Sequence, residues 1–483
     1  MLRVSLLIGE RDLAAADGRT FQRLDPVTGA VATEAAAASI PDAIAAAEAA
    51  ARAFPAWSAL SPSERRAKLS AAADLIEARG EDFGAAMMAE TAATASWCAY
   101  DVRLAAATLR EAAAMTTQIA GETIPIDTHG RIAMTVRQPA GVVLAMAPWN
   151  APVLHGVRAI AMPLACGNTV VLKASELCPA THRLIGTALR DAGLPKGVVN
   201  VVTHAPEDAG KVTETLIAHP AVRRVSFTGS TRVGRLVAET AARYLKPIVL
   251  QLSGKAPLVV LDDADLDEAA RAAAFGAFVN QGQVCTSTER IVADENVAGV
   301  FIEKLAERVR ELTIGDPRGG EFVLGSLVSE EVAQAVRALI DDALSKGARL
   351  VTGGEGIGAV IPATVLDNVT PAMRIYAQEY FGPVAIVLRA NDVDDAVRIA
   401  NDSDYGLAAA VFGRDVARAL SVALRIECGV CHVNAATVFD EPQLPFGGVK
   451  ASGYGRFGGR AAVEHFTELR TITIATGRQE YPF

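Results

Sequence analysis

With 483 residues, 51% hydrophobic and 21% charged, the chain carries ample apolar material for several buried cores and does not read as disordered. Its length suggests about three domains of ordinary size. A formal charge of −9 argues against nucleic acid or an anionic membrane surface as main partner, and suits a soluble enzyme of small metabolites.

Residues 1–10 hold too short an apolar stretch for a signal peptide, and no small-residue cleavage site follows. No run approaches the roughly 18 apolar residues that span a bilayer. Six scattered cysteines do not make a disulfide framework, so a reducing cytoplasm is the expected compartment. The first ~120 residues read as helical. Ser39-Ile40-Pro41-Asp42 and Ser61-Pro62-Ser63-Glu64 each supply an N-cap, an early proline and an acid at the third helical position. The second of these helices stops at Arg79-Gly80.

From 141 the texture changes. Short apolar strands at 142–147, 169–172, 198–202, 224–227 and 248–252 alternate with helical stretches at 153–165, 180–192, 209–218 and 233–242. Such alternation predicts a parallel sheet covered by helices on both faces, a Rossmann-like α/β architecture. A second alternating block follows between 258 and 435, with strands at 258–261, 384–388, 407–412 and 430–433. Two β-rich pieces, 131–136 and 469–474, fit neither block and suit a small added sheet at a subunit contact.

Within the second block, an apolar helical run (267–279) ends in a glycine-containing turn that delivers Cys285, and a β run (290–292) follows. A turn can hold a thiol toward a cleft while nearby backbone N–H groups stabilise a developing oxyanion, which is what a cysteine nucleophile attacking a carbonyl needs. Cys428-Gly429-Val430-Cys431-His432 matches a c-type haem attachment pattern, but covalent haem requires export, and 429–433 reads as a buried strand. Gly229, in Phe227-Thr228-Gly229-Ser230-Thr231, stands where a strand turns into a helix, a place where backbone can approach a phosphate; the dinucleotide fingerprint GxGxxG is absent.

Several such segments occur in order: Pro148-Trp149-Asn150, Lys173-Ala174-Ser175-Glu176, the Gly229 turn, Leu252-Ser253-Gly254-Lys255, the Cys285 segment, Gln378-Glu379-Tyr380-Phe381-Gly382-Pro383 and Pro445-Phe446-Gly447-Gly448. Together they resemble the aldehyde dehydrogenase superfamily from about residue 20 to the end. Arg137-Gln138-Pro139, Ser287-Thr288-Glu289-Arg290 and Gly453-Tyr454-Gly455-Arg456-Phe457-Gly458-Gly459 resemble most its bacterial salicylaldehyde and related aromatic-aldehyde branch.

The resemblance implies a cofactor-binding domain (1–122 and 142–250, with 441–463 returning to it), an α/β catalytic domain (251–440), and an oligomerisation sheet (123–141 and 464–483) joining a homodimer or homotetramer. It implies that Cys285 attacks the aldehyde, that Asn150 helps hold the oxyanion, and that hydride passes to NAD(P)+ before the thioester is hydrolysed. Lys173 and Glu176 would meet the adenosine ribose, Gly229 and Ser230 the pyrophosphate, and Glu379 the nicotinamide ribose, with Trp149 and Phe381 in the same cofactor site. A carboxylate at 176 accepts from a 2′-OH and repels a 2′-phosphate, which favours NAD over NADP. Nothing in this chemistry calls for a metal.

One position departs from the family. Where glutamate is usual, 34 residues before Cys285, this chain has Gln251. A glutamine amide cannot take up a proton at neutral pH, so hydrolysis of the thioester is the step placed in question. The substitution fits a deliberate trap of the acyl-enzyme, a natural variant with slow or differently assisted hydrolysis, or another acyl acceptor such as coenzyme A. Phe457, where many relatives have an acid, is a milder departure common in the aromatic-aldehyde branch. For the substrate, Ala151 implies a wide access tunnel, Trp97, Tyr100, Phe439 and Phe446 offer aromatic walls, and Arg158 could meet a ring hydroxyl or carboxylate. The leading expectation is NAD-dependent oxidation of an aromatic aldehyde; the rivals are an NAD-binding protein with little turnover and a CoA-acylating dehydrogenase.

Overall fold

The computed structural model describes residues 1–479 and 481–483. Two large sheets organise the chain. The first has eight strands in the order Gly453–Tyr454, Ile248–Gln251, Val222–Thr228, Val142–Met146, Thr169–Lys173, Val199–Val202, Leu6–Ile8 and Arg11–Leu13. Its five central strands are mutually parallel, and most of their residues are buried, which is why they read as continuous apolar runs. The second has seven strands, ordered Arg349–Thr352, Thr364–Asp367, Val384–Ala390, Thr288–Asp294, Ala256–Val260, Ala408–Phe412 and Val430–Val433. Helices cover both sheets, giving the α/β architecture that the alternation of elements predicts.

Three expectations need correction. Residues 2–36 are not helical: they form five short strands, Leu2–Val4, Leu6–Ile8, Arg11–Leu13, Thr20–Leu24 and Val31–Ala36. They pair mostly with one another, Leu6–Ile8 with Arg11–Leu13 and Val31–Ala36 with both Thr20–Leu24 and Leu2–Val4, and Leu7 also pairs with the distant Val201. Tertiary pairing of this kind overrides the helical propensity of alanine-rich segments such as 31–36. Secondly, Gly80 does not simply end helical structure, because a new helix, Gly80–Thr91, begins directly after the Arg79 cap. Thirdly, Val430–Val433 is half-buried and forms the sheet edge, having only Ala408–Phe412 as neighbour. The helix starts at Ser39 and Ser61 do form. Asp42 accepts from the Ser39 backbone N–H at 2.8 Å, and Glu64 from that of Ser61 at 2.8 Å.

The first sheet positions the site because its parallel strands all end on one side. Trp149 and Asn150 follow Val142–Met146, Lys173 ends Thr169–Lys173, Gly229 follows Val222–Thr228, and Gln251 ends Ile248–Gln251. Ligands of open α/β sheets bind at these carboxyl ends.

A three-stranded antiparallel sheet stands apart, made of Thr123–Ile124, Arg131–Pro139 and Thr467–Ala475. Asn168 ties its base to the body. Its Oδ1 accepts from Ala140 and Gly141 N–H at 2.7 and 3.0 Å, and its Nδ2 donates to Pro163 and Phe466 carbonyls at 3.1 and 2.8 Å. Asn168→Ala leaves Ala140 N–H, Gly141 N–H and the Phe466 carbonyl without this partner, while the Pro163 carbonyl keeps the backbone N–H of residue 168, so unfolding free energy from denaturant titration should fall by roughly 2–4 kcal/mol. A loss within about 0.5 kcal/mol, the usual scale of a surface change, would show that Asn168 does not anchor this sheet.

Candidate active site

Cys285 is delivered by an unusual turn. The helix Leu266–Phe278 breaks into a short 3₁₀ turn, Val279–Gly282, in which Asn280, Gln281 and Gly282 all have positive φ (50°, 56° and 69°). Two non-glycine residues in the left-handed region cost roughly 1–2 kcal/mol each, so the surroundings must hold them. They do so through amides. Asn280 Nδ2 donates to the Asn150 carbonyl at 3.0 Å, and Gln281 Nε2 donates to the Ser326 carbonyl at 3.0 Å. Gln283 Oε1 accepts from Val328 N–H at 3.0 Å. Gly282 has no room for a side chain: a Cβ there would lie 2.1 Å from the Gly382 oxygen.

Asn150 is buried beside this turn. Its Nδ2 donates to the Gln283 carbonyl at 2.9 Å, while its own carbonyl accepts from Trp97 Nε1 at 2.9 Å. An amide nitrogen carries two hydrogens, so one engaged by Gln283 leaves the second for a ligand oxygen. Gln251, fully buried, donates from Nε2 to Cys285 Sγ at 3.5 Å; its Oε1 has no hydrogen-bond partner among the described residues. Burial, then the Glu379 charge, push the Cys285 thiol up to about 12, against the opposing pull of Arg158 and the Gln251 amide. At neutral pH the resting group is therefore a thiol.

Two cavities meet at Cys285, and a larger cleft adjoins one of them. One, of about 710 Å³, is lined by Trp149, Asn150, Gln251, Cys285, Glu379 and Phe381 among others. It shares Trp149, Gly229 and Ser230 with a larger cleft of about 1250 Å³ that reaches Lys173 and Glu176. On the other side of Cys285 a cavity of about 390 Å³ is lined by Trp97, Tyr100, Ala151, Arg158, Phe439, Asp440 and Phe446. The candidate catalytic, cofactor and substrate-pocket residues thus line these three adjoining cavities, whereas Phe457 and the Cys428–His432 segment do not. Phe439 is not core packing: it is 45% exposed at the cavity wall.

The large cleft fits a dinucleotide. A Cβ at Gly229 would meet the Phe227 ring at 2.6 Å, and the next residue, Ser230, caps the helix Thr231–Arg243 by accepting from Val233 N–H. That helix start offers free N–H groups to an anion. Trp149 and Phe381 meet edge to face at 5.8 Å and 80°. Glu379 accepts from Gly254 N–H at 3.0 Å, and burial followed by the Glu289 charge holds its carboxyl up at about 7.

Other functional neighbours carry no sequence signal. His204 binds Lys173 Nζ through Nε2 at 2.6 Å. Its Nδ1 lies 3.0 Å from the Ala205 carbonyl, and burial holds the ring down at about 3, so it is a neutral acceptor. Burial brings Lys173 down to about 8. Asp440 pairs with Arg158, whose guanidinium also sits 5.0 Å above the Phe446 ring. Buried Lys255 bonds Glu289 at 2.7 Å, and Glu289 in turn accepts from Tyr380 and Phe381 N–H, fixing the loop that carries Glu379. His155 lines both cavities that flank Cys285. Pairs such as Arg158 and Asp440, 282 residues apart, have no spacing to read.

A half-buried thiol between a long cleft and an aromatic pocket is the arrangement expected of a cysteine-dependent oxidoreductase of carbonyl substrates. Comparison with known proteins makes this specific: the aldehyde dehydrogenase family model matches residues 13–472, and the chain belongs to that family. It is 58% identical over 482 residues to vanillin dehydrogenase of Pseudomonas fluorescens, covering 100% of both chains. It is 47% identical over 483 residues to salicylaldehyde dehydrogenase of Pseudomonas putida, again across 100% of both. The crystal structure of salicylaldehyde dehydrogenase from Pseudomonas putida G7 complexed with salicylaldehyde superposes with a TM-score of 0.98, at 47% identity and full coverage of both chains.

Because the thiol is held up at about 12, the thiolate fraction should grow tenfold per pH unit across the neutral and mildly alkaline range. Iodoacetamide labelling of Cys285 in the cofactor-free protein, followed by peptide mass spectrometry, should accelerate tenfold per unit from pH 7 to 9. A plateau near pH 7 would contradict the burial effect.

Proposed function

We propose that the protein oxidises an aromatic aldehyde to its carboxylic acid with NAD+, and that release of the acyl group from Cys285 is its slow step. One observation carries the reading: Cys285 lies where the cavity holding Glu379 and Gln251 meets the cavity walled by aromatic side chains. The named relatives act on vanillin and salicylaldehyde, both hydroxylated aromatic aldehydes, which agrees with those walls. The paired Arg158 and Asp440, with the Tyr100 hydroxyl nearby, offer polar partners for a ring substituent.

Cys285 Sγ attacks the aldehyde carbon, and the oxyanion accepts from the second Asn150 amide hydrogen and the Cys285 backbone N–H. Each such donor contributes about 2.7–4 kcal/mol in comparable sites. Lys173 and Glu176 hold the adenosine ribose, Gly229 and Ser230 the pyrophosphate, and Glu379 the nicotinamide ribose, beside Trp149 and Phe381. When bound, NAD+ supplies the hydride acceptor. Glu176 favours NAD+ because its carboxylate would face the 2′-phosphate of NADP+. Gln251 keeps a donor on Sγ but cannot remove a proton from water, so hydrolysis lags. The three-stranded sheet exposes Ile132, Leu469 and Ile474, which supports its use as a contact in a homodimer or homotetramer. Six free thiols, the nucleophile among them, suit a reducing cytoplasm.

Stopped-flow mixing with NAD+ and benzaldehyde, salicylaldehyde or vanillin should give a stoichiometric NADH burst followed by slower steady turnover. The burst should be much smaller with NADP+, and coenzyme A should not accelerate turnover. A missing burst with all three aldehydes would reject the reading, and CoA-dependent turnover would make the protein an acyl-transferring enzyme. Gln251→Glu should raise the steady rate by at least about tenfold, within the usual range of general-base assistance. An unchanged steady rate would mean that deacylation is not limited by a missing base.

A further inference from the structure

We propose that His155 is the general base for acyl release, accepting a proton from a water that Gln251 Oε1 orients toward the thioester on Cys285. The inference rests on the dehydrogenase reading above, since that reading supplies the thioester. Two buried polar atoms near Cys285 have no hydrogen-bond partner: Gln251 Oε1 and His155 Nδ1. Both residues line the cavity that Cys285 also lines, and His155 lines the aromatic cavity as well. Gln251 is 1% exposed and His155 5%, so leaving such atoms unpaired is costly, and a polar ligand in the cavity relieves both. A water has two hydrogens to donate, one to the amide oxygen and one to the imidazole, while its lone pair faces the carbonyl.

The ring is placed by its helix. His155 lies in the first turn of Pro152–Ala165, whose N-terminus is held by Asp101 accepting from Val153 and Leu154 N–H at 2.9 and 3.1 Å. The groups around it are Arg158 on the same helix, His182 on Pro179–Asp191, Asp101, and Cys285, Glu379 and Asp440 along the cavity walls. Burial, then Arg158 and His182, hold the imidazole neutral far into acid. It is thus always in the accepting form near pH 7, and it is a weaker base than one poised at working pH. Slow acyl release follows from that weakness.

The step balances. Water oxygen bonds to the thioester carbon as its proton passes to His155. The C–S bond then breaks, Cys285 leaves as thiolate, and the carboxylic acid forms. The imidazolium proton returns to the thiolate, and the acid gives its own proton to solvent, so thioester and water become carboxylate, proton and thiol.

The test separates burst from steady turnover with NAD+ and benzaldehyde. In His155→Met, the ratio of steady rate to burst rate should fall at least thirtyfold, with the acyl adduct on Cys285 accumulating by intact-protein mass spectrometry. His155→Met combined with Gln251→Glu should recover most of that ratio, because a carboxylate at 251 replaces the lost base. An unchanged ratio in His155→Met overturns the proposal. So does a double variant that shows the burst but no recovery, because the loss would then be structural. A second measurement needs no variant: steady turnover of the unaltered enzyme should stay flat from pH 8 to 6 and decline only in more acid solution. A decline centred near pH 7 would assign the base to Glu379 instead, whose carboxyl is held up at about 7. Absence of any burst in the unaltered enzyme would sink the dehydrogenase reading rather than this one.

Discussion

The site depends on one local constraint, the left-handed turn at Asn280, Gln281 and Gly282. A chain leaving a helix would ordinarily continue in a relaxed conformation. Here it is turned sharply so that Cys285 faces the cavity and its carbonyl packs against Gly254, where a Cβ would lie 2.2 Å from the Cys285 oxygen. Side-chain amides make this possible. Asn150, Asn280, Gln281 and Gln283 exchange hydrogen bonds with each other's backbone and with Ser326 and Val328. Asn150 and the turn that carries Cys285 therefore belong to one network. Disturbing either would move both, which is the behaviour expected of a fully connected buried polar network.

Burial sets the electrostatics of the same place. It raises the Cys285 thiol and the Glu379 carboxyl, and it lowers His155, Lys173 and His204. Each shift has the sign of desolvation, which disfavours the charged form. The resting site is thus nearly neutral close to the nucleophile, with charge kept in hydrogen-bonded pairs such as Lys255 with Glu289 and Arg158 with Asp440. Such a weakly charged, low-dielectric surrounding strengthens every oriented dipole within it. The same burial makes it costly for any group there to take on charge.

Much of this was legible from residues alone. Five parallel strands of the first sheet were readable because both of their faces are covered, which leaves an uninterrupted apolar signature. The helix starts at Ser39 and Ser61 were readable because capping is decided within four residues. Strands 2–36 were not, because each is three to six residues long, too short for its alternation to stand out against alanine-rich helical composition. Arg349–Thr352 and Thr364–Asp367 were missed for a related reason: they are four residues each and extend an existing edge. The half-buried state of Val430–Val433 followed only from its place in the strand order.

The sequence by itself singled out the candidate nucleophile Cys285, the candidate oxyanion amide Asn150, the candidate cofactor-side residues and the anomaly at Gln251, because each sits in a short segment whose chemistry is local. It also determined the α/β class, since strand and helix periods are written in consecutive residues. Only the tertiary structure decided which distant side chains complete the site. It set His204 against Lys173, Asp440 against Arg158 and Glu289 against Lys255, and it left His155 and Gln251 with unpaired atoms on one cavity wall. These are meetings of groups from separate elements, fixed by sheet order and loop packing, and no spacing along the chain encodes them.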